Sequence, residues 1–173
     1  MAGPIAIRRL VPGELTAYKD LRDAMLAAHP SAFSSDAAEA RSRAPESYRS
    51  RLGLERPEGG EFTLGAWEGL QIVGAIGCER DARIKVRHIG HVVGMMVVDE
   101  SQRRGVGRAL LGECLALARC ADGLELLTLT VTAGNLPAIR LYESLGFIRH
   151  GTLPCAIRVN GQYHAKHHMM LVL

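Results

Sequence analysis

The stretch from residue 91 to residue 111 constrains the fold of this chain most, because three structural signals follow one another there. Residues 92–98 are an unbroken apolar run, which predicts a buried strand. A polar turn follows, and then the sequence Gln102-Arg103-Arg104-Gly105-Val106-Gly107 leads into an amphipathic helix. A helix N-terminus presents unpaired N–H groups and the positive end of the helix dipole. The order strand, glycine-containing basic turn and helix therefore predicts a site for an anionic group such as a phosphate.

The spacing of the glycines excludes the two commonest phosphate-binding motifs. A dinucleotide fold needs G-x-G-x-x-G, and a P-loop needs G-x-x-x-x-G-K-[ST]. Neither occurs here, and no Lys-Ser or Lys-Thr follows the glycines to meet a γ-phosphate and its Mg²⁺. The pattern Gln102-x-x-Gly105-x-Gly107 by itself also fits a helix start at which glycine allows close packing.

Length and charge favour one domain with a small ligand. A chain of 173 residues is long enough to bury a hydrophobic core, so we expect a single domain over residues 1–173. The net charge of +3 is mild, and a nucleic-acid partner would call for a larger basic face. Arginines gather at residues 80–87 and 103–108. We expect the first group to be a solvated loop and the second to contact a small anion.

The cysteines and the N-terminal residues predict a reducing compartment. The four cysteines form no C-x-x-C pair, so neither a disulfide framework nor a zinc site is indicated. The first ten residues lack the apolar centre of a secretion signal, and no apolar run approaches membrane-spanning length. We therefore expect a cytoplasmic protein with no membrane partner.

Hydrophobic periodicity predicts a mixed α/β order of elements. Strands are expected at residues 5–10, 61–67, 70–78, 88–98 and 124–131, with a hairpin turn at Glu68-Gly69. A helix should run from Leu15 to about His29, because Pro30 disfavours helix in the residue before it. Asp36 and Glu39 predict a capping box for a short helix that Pro45 interrupts. The strand–helix–strand unit after residue 88 predicts two parallel strands in an otherwise antiparallel sheet.

A second motif follows the fifth predicted strand. In residues 135–147 Asn135 is suited to cap a helix, Pro137 to its first turn and Gly146 to its C-terminal end. This segment matches N-x-x-A-x-x-L-Y-x-x-x-G-F at every specified position. Together with the loop at residues 102–107, one strand earlier, it resembles the acyl-CoA-dependent N-acetyltransferases of the GNAT superfamily.

The resemblance implies a fold and a donor. It implies an α/β protein with a mixed, mostly antiparallel sheet of about seven strands flanked by about four helices. Two parallel strands, at residues 88–98 and 124–131, would splay apart around a cleft for coenzyme A. Acetyl-CoA is then the expected co-substrate, and no metal is expected.

The resemblance also implies which residues meet the donor. Backbone groups of Met95, Met96 and Val97 would bond the pantetheine arm as an added strand does. Asn135 and Ala138 would flank the same arm, and Tyr142 would donate a proton to the departing thiolate. The pyrophosphate would lie on the turn and the first helical residues, which are Gln102, Arg103, Arg104, Gly105, Val106, Gly107 and Arg108.

The residue that accepts the proton of the amine stays open. Members that acetylate protein N-termini often carry a glutamate five residues before the motif asparagine, and Thr130 stands there in this chain. Candidates on the neighbouring strands are Glu79, His88, His91 and Asp99. By alternation along the strand, His91 would share a face with Val93, Met95 and Val97, unless Gly94 marks a bulge.

The C-terminal region predicts a closing hairpin. Strands are expected at residues 148–153 and 163–173, joined by a turn at Asn160-Gly161. Three histidines, His164, His167 and His168, lie on the last strand, but the two adjacent ones point to opposite faces. A metal site is therefore not expected there.

The predicted function is acetyl transfer from acetyl-CoA to a primary amine of a small molecule or peptide. One alternative is an acyl-CoA-binding or sensing module with little or no catalysis, and Tyr142 argues against it. A second is a general phosphate-binding α/β domain, which the complete second motif disfavours. The acceptor stays open, and so does the oligomeric state, for which a homodimer is one option.

Overall fold

The computed structural model describes residues 3–173, and its centre is one seven-stranded sheet with the strand order β1-β2-β3-β4-β5-β7-β6. The strands are β1 (Ile5–Arg9), β2 (Phe62–Glu68), β3 (Gln71–Arg80), β4 (Ile89–Val97), β5 (Leu126–Thr132), β6 (Ile148–Val159) and β7 (Gln162–Val172). All neighbouring strands are antiparallel except β4 and β5. The predicted mixed and mostly antiparallel sheet, with β4 and β5 as its parallel pair, is confirmed.

Four α-helices accompany the sheet, together with 3-10 turns at Pro12–Glu14, Pro45–Leu52 and Asp99–Ser101. The helices are α1 (Leu15–Ala28), α2 (Ala37–Arg41), α3 (Val106–Cys120) and α4 (Leu136–Ser144). Helix α2 begins as predicted, with the Asp36 carboxylate accepting the backbone N–H of Glu39 at 2.9 Å. In a complete capping box the Glu39 carboxylate would accept the backbone N–H of Asp36. Here that carboxylate pairs with Arg43 instead.

The sheet carries a separate hydrophobic cluster on each face. Helix α3 covers one face, where Leu110, Leu111 and Cys114 are fully buried against Phe62 and Leu127. Helix α1 and the Pro45–Leu52 turn cover part of the other face with a second cluster. Its members include Leu15, Tyr18, Leu21, Met25, Tyr48, Trp67, Ala75 and Met96. Two layers of helix therefore leave the sheet buried on both faces around its centre.

A β-bulge in β4 decides which side chains face which cluster. Met96 lies opposite Ala75 and Val93 lies opposite Gly77, so two residues of β4, Gly94 and Met95, face one residue of β3. Gly94 has φ +60, which glycine adopts without steric cost. As a result Val92 belongs to the α3 cluster whereas Met96 belongs to the α1 cluster.

The bulge breaks the simple alternation from His91 to Val97. Met95 and Val97 pack against the α3 cluster, as Val92 does. Since neighbouring residues of a strand point to opposite faces, His91 points toward the α1 face. The condition attached to the sequence prediction, a bulge at Gly94, is therefore met.

Strand β6 and the turn between β2 and β3 differ from the sequence prediction. Strand β6 continues beyond residue 153 to Val159, with an irregularity between Leu153 and Ile157 that contains Pro154, which cannot donate a ladder hydrogen bond. The turn between β2 and β3 consists of Gly69 and Leu70, one residue later than expected.

Arg80 is also not a solvated residue. Its Nη1 donates to the carbonyl oxygens of Gly59 at 2.7 Å and Asp122 at 2.9 Å. Arg80 thereby connects two loops that are far apart in the sequence.

None of the helices in residues 3–173 has the length and apolar character needed to span a membrane.

Truncation of Leu110 to alanine should destabilise the protein by about 2–5 kcal/mol, because it leaves a cavity between α3 and β3 that the sheet cannot fill. Leu110 is fully buried. Equilibrium unfolding in urea measures the difference. Leu70→Ala is the matched control, since Leu70 is 98% exposed and its loss should change stability by about 0.5 kcal/mol or less. Equal effects of the two substitutions would contradict the assigned core.

Candidate active site

A cleft of about 820 Å³ opens where β4 and β5 separate. The two strands pair only from Ile89–Leu126 to His91–Thr128, and then β4 continues to Val97 and β5 to Thr132. Within residues 3–173, these continuations have no strand partner on the side that faces the cleft. An unpaired strand edge offers N–H and C=O groups to an extended polar ligand. The cleft can therefore accept such a ligand between two strand edges.

The turn before α3 closes one end of the cleft. The Gln102 side chain donates from Nε2 to the Val97 carbonyl oxygen at 3.2 Å and to the Asp99 carboxylate at 2.7 Å, which fixes the turn to the end of β4. Gly105 has φ +81, and no heavy atom lies within 4 Å of the position that a Cβ would occupy. Gly105 therefore leaves open space beside the start of α3, where the sequence predicts a site for an anion.

The three arginines of this turn and helix have different surroundings. The side chain of Arg103 lines the cleft. Arg104 instead pairs with Glu68 at 3.0 and 3.1 Å, and this hydrogen-bonded pairing lowers the pKa of the Glu68 carboxyl group. Arg108 donates from Nη1 to the Ser144 hydroxyl at 2.9 Å, which links α3 to α4. The side chains of Arg104 and Arg108 therefore lie outside the lining of the cleft, and only their backbone groups remain near the turn.

Tyr142 reaches the cleft from α4. The helix begins at the predicted cap, where the Asn135 side-chain oxygen accepts the N–H of Ala138 at 3.3 Å. The Tyr142 ring packs edge-to-face on Phe147 with ring centres 5.9 Å apart, and the residue is only 6% exposed. Burial raises the pKa of the phenol well above its ordinary value of 10.0. The hydroxyl therefore stays protonated at neutral pH.

Most of the predicted donor-site residues meet in this single cleft. Its lining includes Met95, Met96, Val97, Gln102, Arg103, Gly107, Asn135, Ala138 and Tyr142. Gly105 is not among the lining residues, and the Val106 side chain is buried in the α3 cluster. Residues more than 40 positions apart in the chain are thus brought together around one opening.

Of the four candidate proton acceptors, only Glu79 lines the cleft. Its carboxylate lies 3.4 Å from Nε of Arg51. Thr130, which replaces the glutamate of some members, also lines the cleft. A hydroxyl is a far weaker base than a carboxylate, so Glu79 is the stronger of these two candidates for accepting the proton of the amine.

The other three candidates are absent from the lining of the cleft. His91 Nδ1 lies 2.7 Å from the Thr128 hydroxyl, and Asp99 is bonded by His29 at 2.9 Å as well as by Gln102. His88 lies in the loop before β4, and its carbonyl oxygen accepts two backbone N–H groups near β5.

The loop of residues 31–35 lines the cleft, and side chains from three separate elements hold it in place. Thr132 at the end of β5 donates to the Ser31 carbonyl oxygen at 2.6 Å. Lys166 on β7 donates to the Ser34 hydroxyl at 2.7 Å, and Arg22 on α1 donates to the Ser35 hydroxyl at 2.8 Å. The partners are 101, 132 and 13 positions apart. No local sequence pattern predicts hydrogen bonds between residues so far apart.

The histidines of β7 lie in different surroundings, since His164 lines the cleft whereas His167 is hydrogen-bonded within the hairpin. His167 lies 2.8 Å from the Thr152 hydroxyl through Nδ1 and 3.3 Å from Arg149 through Nε2. Across residues 3–173, no group of three or more His, Cys, Asp and Glu side chains is arranged to hold a metal ion.

Comparison with known families and proteins identifies the relatives of this chain. Residues 18–147 match the model of the acetyltransferase (GNAT) family. An N-alpha-acetyltransferase from Sulfurisphaera tokodaii is 40% identical over 58 residues, which make up 34% of this chain and 35% of that protein. The curated relatives that the chain resembles are matched over only 23–38% of their own length.

Solved structures share the fold along almost the whole chain. An acetyltransferase of the GNAT family from Streptococcus pneumoniae superposes with a TM-score of 0.88 and 24% identity, covering 98% of this chain and 100% of that one. The putative acetyltransferase yncA from Salmonella typhimurium, solved with its cofactor acetyl-CoA, superposes with a TM-score of 0.80 and 21% identity. That superposition covers 98% of this chain and 94% of the Salmonella chain. At these identities the likeness concerns the fold alone.

Alkaline titration tests the burial of Tyr142. Because burial disfavours the charged phenolate, Tyr142 should stay protonated through the pH range near 10 in which free tyrosine ionises. Tyr142→Phe should therefore leave the rise in absorbance at 295 nm up to about pH 11 unchanged. A reduced rise in Tyr142→Phe, with the fold intact by circular dichroism, would show that the phenol is not desolvated.

Proposed function

Since the chain belongs to the acetyltransferase (GNAT) family, we propose that it transfers an acetyl group from acetyl-CoA to a primary amine of a small molecule or peptide. The observation that carries the proposal is the pair of unpaired strand edges, on β4 and β5, that face one cleft. The cleft ends at the N-terminus of α3 and has a buried tyrosine in its wall.

The donor fits the chemistry of this cleft. The pantetheine arm is an extended chain with amide groups, and the backbone of Met95, Met96 and Val97 supplies the edge on which it would lie. Asn135 and Ala138 would flank the arm from the opposite side. The pyrophosphate would rest on the N–H groups of residues 103–108, where the open space at Gly105 permits close approach and Arg103 adds positive charge.

The reaction needs a proton donor on the sulfur and a proton acceptor for the amine. A C–N bond forms between the amine and the acetyl carbon, and the C–S bond breaks. Tyr142 is assigned to donate its hydroxyl proton to the sulfur as negative charge develops there. A backbone N–H near Val97 is assigned to polarise the carbonyl oxygen. The phenolate then takes up one of the protons that the amine has lost. The overall reaction therefore yields an amide and a free thiol.

Glu79 is assigned to receive the proton of the amine through water. An alkyl amine such as that of lysine has a pKa of about 10.4 and is protonated at neutral pH, so it must lose a proton before it attacks. Glu79 is the single carboxylate in the lining of the cleft among the described residues. Its ion pair with Arg51 is partly exposed and leaves the carboxylate in contact with solvent.

The second candidate function is an acyl-CoA-binding or sensing module, which would use the same cleft without turnover. A buried tyrosine beside the cleft favours catalysis, because simple binding does not require a proton donor there. Turnover with a panel of amines separates the two functions.

Replacement of Tyr142 by phenylalanine should lower kcat by about 10²–10⁴-fold, because the departing thiolate loses its acid. The dissociation constant of acetyl-CoA should stay within about threefold, since only the hydroxyl is removed. Release of free coenzyme A gives kcat, and calorimetry gives the affinity. An unchanged kcat would remove Tyr142 from the reaction. A wild-type protein that binds acetyl-CoA but acetylates no amine would favour the sensing module.

A charge placed at the start of α3 tests the donor site independently of the chemistry. Gly107→Glu introduces a carboxylate into the lining of the cleft beside the helix N-terminus and should weaken acetyl-CoA binding at least about tenfold through repulsion of the phosphates. Gly107→Gln is the matched control, because it adds the same bulk without the charge at a position where a Cβ would lie 3.2 Å from the Met95 side chain. Equal affinities of the two variants would move the phosphate site away from α3.

A further inference from the structure

Two buried cations in the cleft have no anionic partner. Arg22 is 6% exposed and Lys166 is 7% exposed, and within residues 3–173 neither lies within 4 Å of a carboxylate. A nearby residue of α1 shows the usual arrangement, since Lys19 is 9% exposed and pairs with Asp23. An unpaired buried charge is costly in a folded protein, so this pair of cations calls for an explanation.

The hydroxyl groups of adjacent residues hold both cations. Arg22 donates from Nη2 to Ser35, and Lys166 donates from Nζ to Ser34. Because consecutive Cα atoms lie about 3.8 Å apart, the two cations meet neighbouring points of one loop. The Nε atom of Arg22 is buried and has no hydrogen-bond partner. A hydroxyl orients a cation without neutralising it, so both groups retain capacity for an anion.

Both cations belong to the cleft that is proposed to hold the donor. Arg22 and Lys166 line the cleft. Nη1 of Arg22 lies 3.8 Å from the position that a Cβ would take on Gly94, the residue before Met95 in β4. A group bound by Arg22 would thus lie next to the strand segment assigned to the donor.

The remaining charges of this part of the cleft do not compensate the pair. Glu79 is the one carboxylate in the lining among the described residues, and Arg51 already pairs with it at 3.4 Å. The guanidinium of Arg22 lies over the ring of Tyr48 at 5.7 Å, which stabilises the cation but adds no negative charge. Within residues 3–173, the cationic side chains in the lining of the cleft therefore outnumber its single carboxylate.

We infer that the acceptor carries a carboxylate close to its amine, and that Arg22 and Lys166 bind this carboxylate. The inference rests on the proposed acetyl transfer and names its substrate class, which is free amino acids rather than polyamines or peptide N-termini. A bound carboxylate neutralises the two cations, and Glu79 then remains available to the amine. Burial lowers the pKa of Lys166, and an anion beside it would raise that pKa again.

The test compares free L-amino acids with their carboxamides, which keep the amine and lose the negative charge. Wild-type protein should acetylate at least one amino acid with kcat/KM at least about tenfold above that of its carboxamide, the difference expected for charge-assisted hydrogen bonds. In Lys166→Met and in Arg22→Gln this ratio should fall toward one. Lys166→Arg should preserve the preference, which separates loss of charge from loss of folding.

Lys85→Met serves as the control, because it removes the same charge from an exposed loop residue and should leave the ratio unchanged. Thermal melting with each amino acid and carboxamide, with and without acetyl-CoA, gives a second readout that does not need turnover. Equal responses to acids and carboxamides in the wild type would overturn the inference. Stabilisation by amino acids without any response to acetyl-CoA would support the carboxylate site while refuting the proposed acetyl transfer.

Discussion

The short parallel contact between β4 and β5 is the constraint on which the site depends. Pairing over Ile89–His91 and Leu126–Thr128 holds the strands together at one end, and Leu127 anchors that end in the α3 cluster. Beyond it, the bulge at Gly94 alters the course of β4. The sheet therefore opens without losing its antiparallel neighbours, and two backbone edges stay available inside an otherwise continuous fold.

The two faces of the sheet contribute different halves of the cleft. The β4–α3–β5 unit and α4 supply the turn at Gln102–Gly107, the strand edges and Tyr142, and these parts depend on the α3 cluster. Helix α1 and the loop of residues 31–35 supply the opposite wall and depend on the α1 cluster. The donor site can thus be built from one contiguous stretch of sequence, whereas the proposed acceptor site needs distant segments to meet.

The electrostatics of the cleft follow from the same division. At the α3 end, positive potential comes from backbone N–H groups and Arg103, while Arg104 is neutralised by Glu68. At the far end, positive charge comes from buried side chains, and serine hydroxyls fix their positions. The backbone dipoles at the start of α3 suit the phosphates of the proposed donor. The buried side-chain charges at the far end suit recognition of one proposed class of acceptor.

Local sequence signals were sufficient to predict the family and most of the helices and strands, and they also predict the proposed donor half of the cleft. The apolar run of β4, the glycines of the turn and the Asn135 cap each act over a few residues, so their structures follow from neighbours in the chain. Tertiary structure alone decided which face each β4 side chain takes after the bulge, the pairing of Arg104 with Glu68 and the meeting of Lys166 with Ser34. Those outcomes depend on partners 36 and 132 positions away, and hydrophobic packing of the whole sheet, rather than any local preference, brings such partners together.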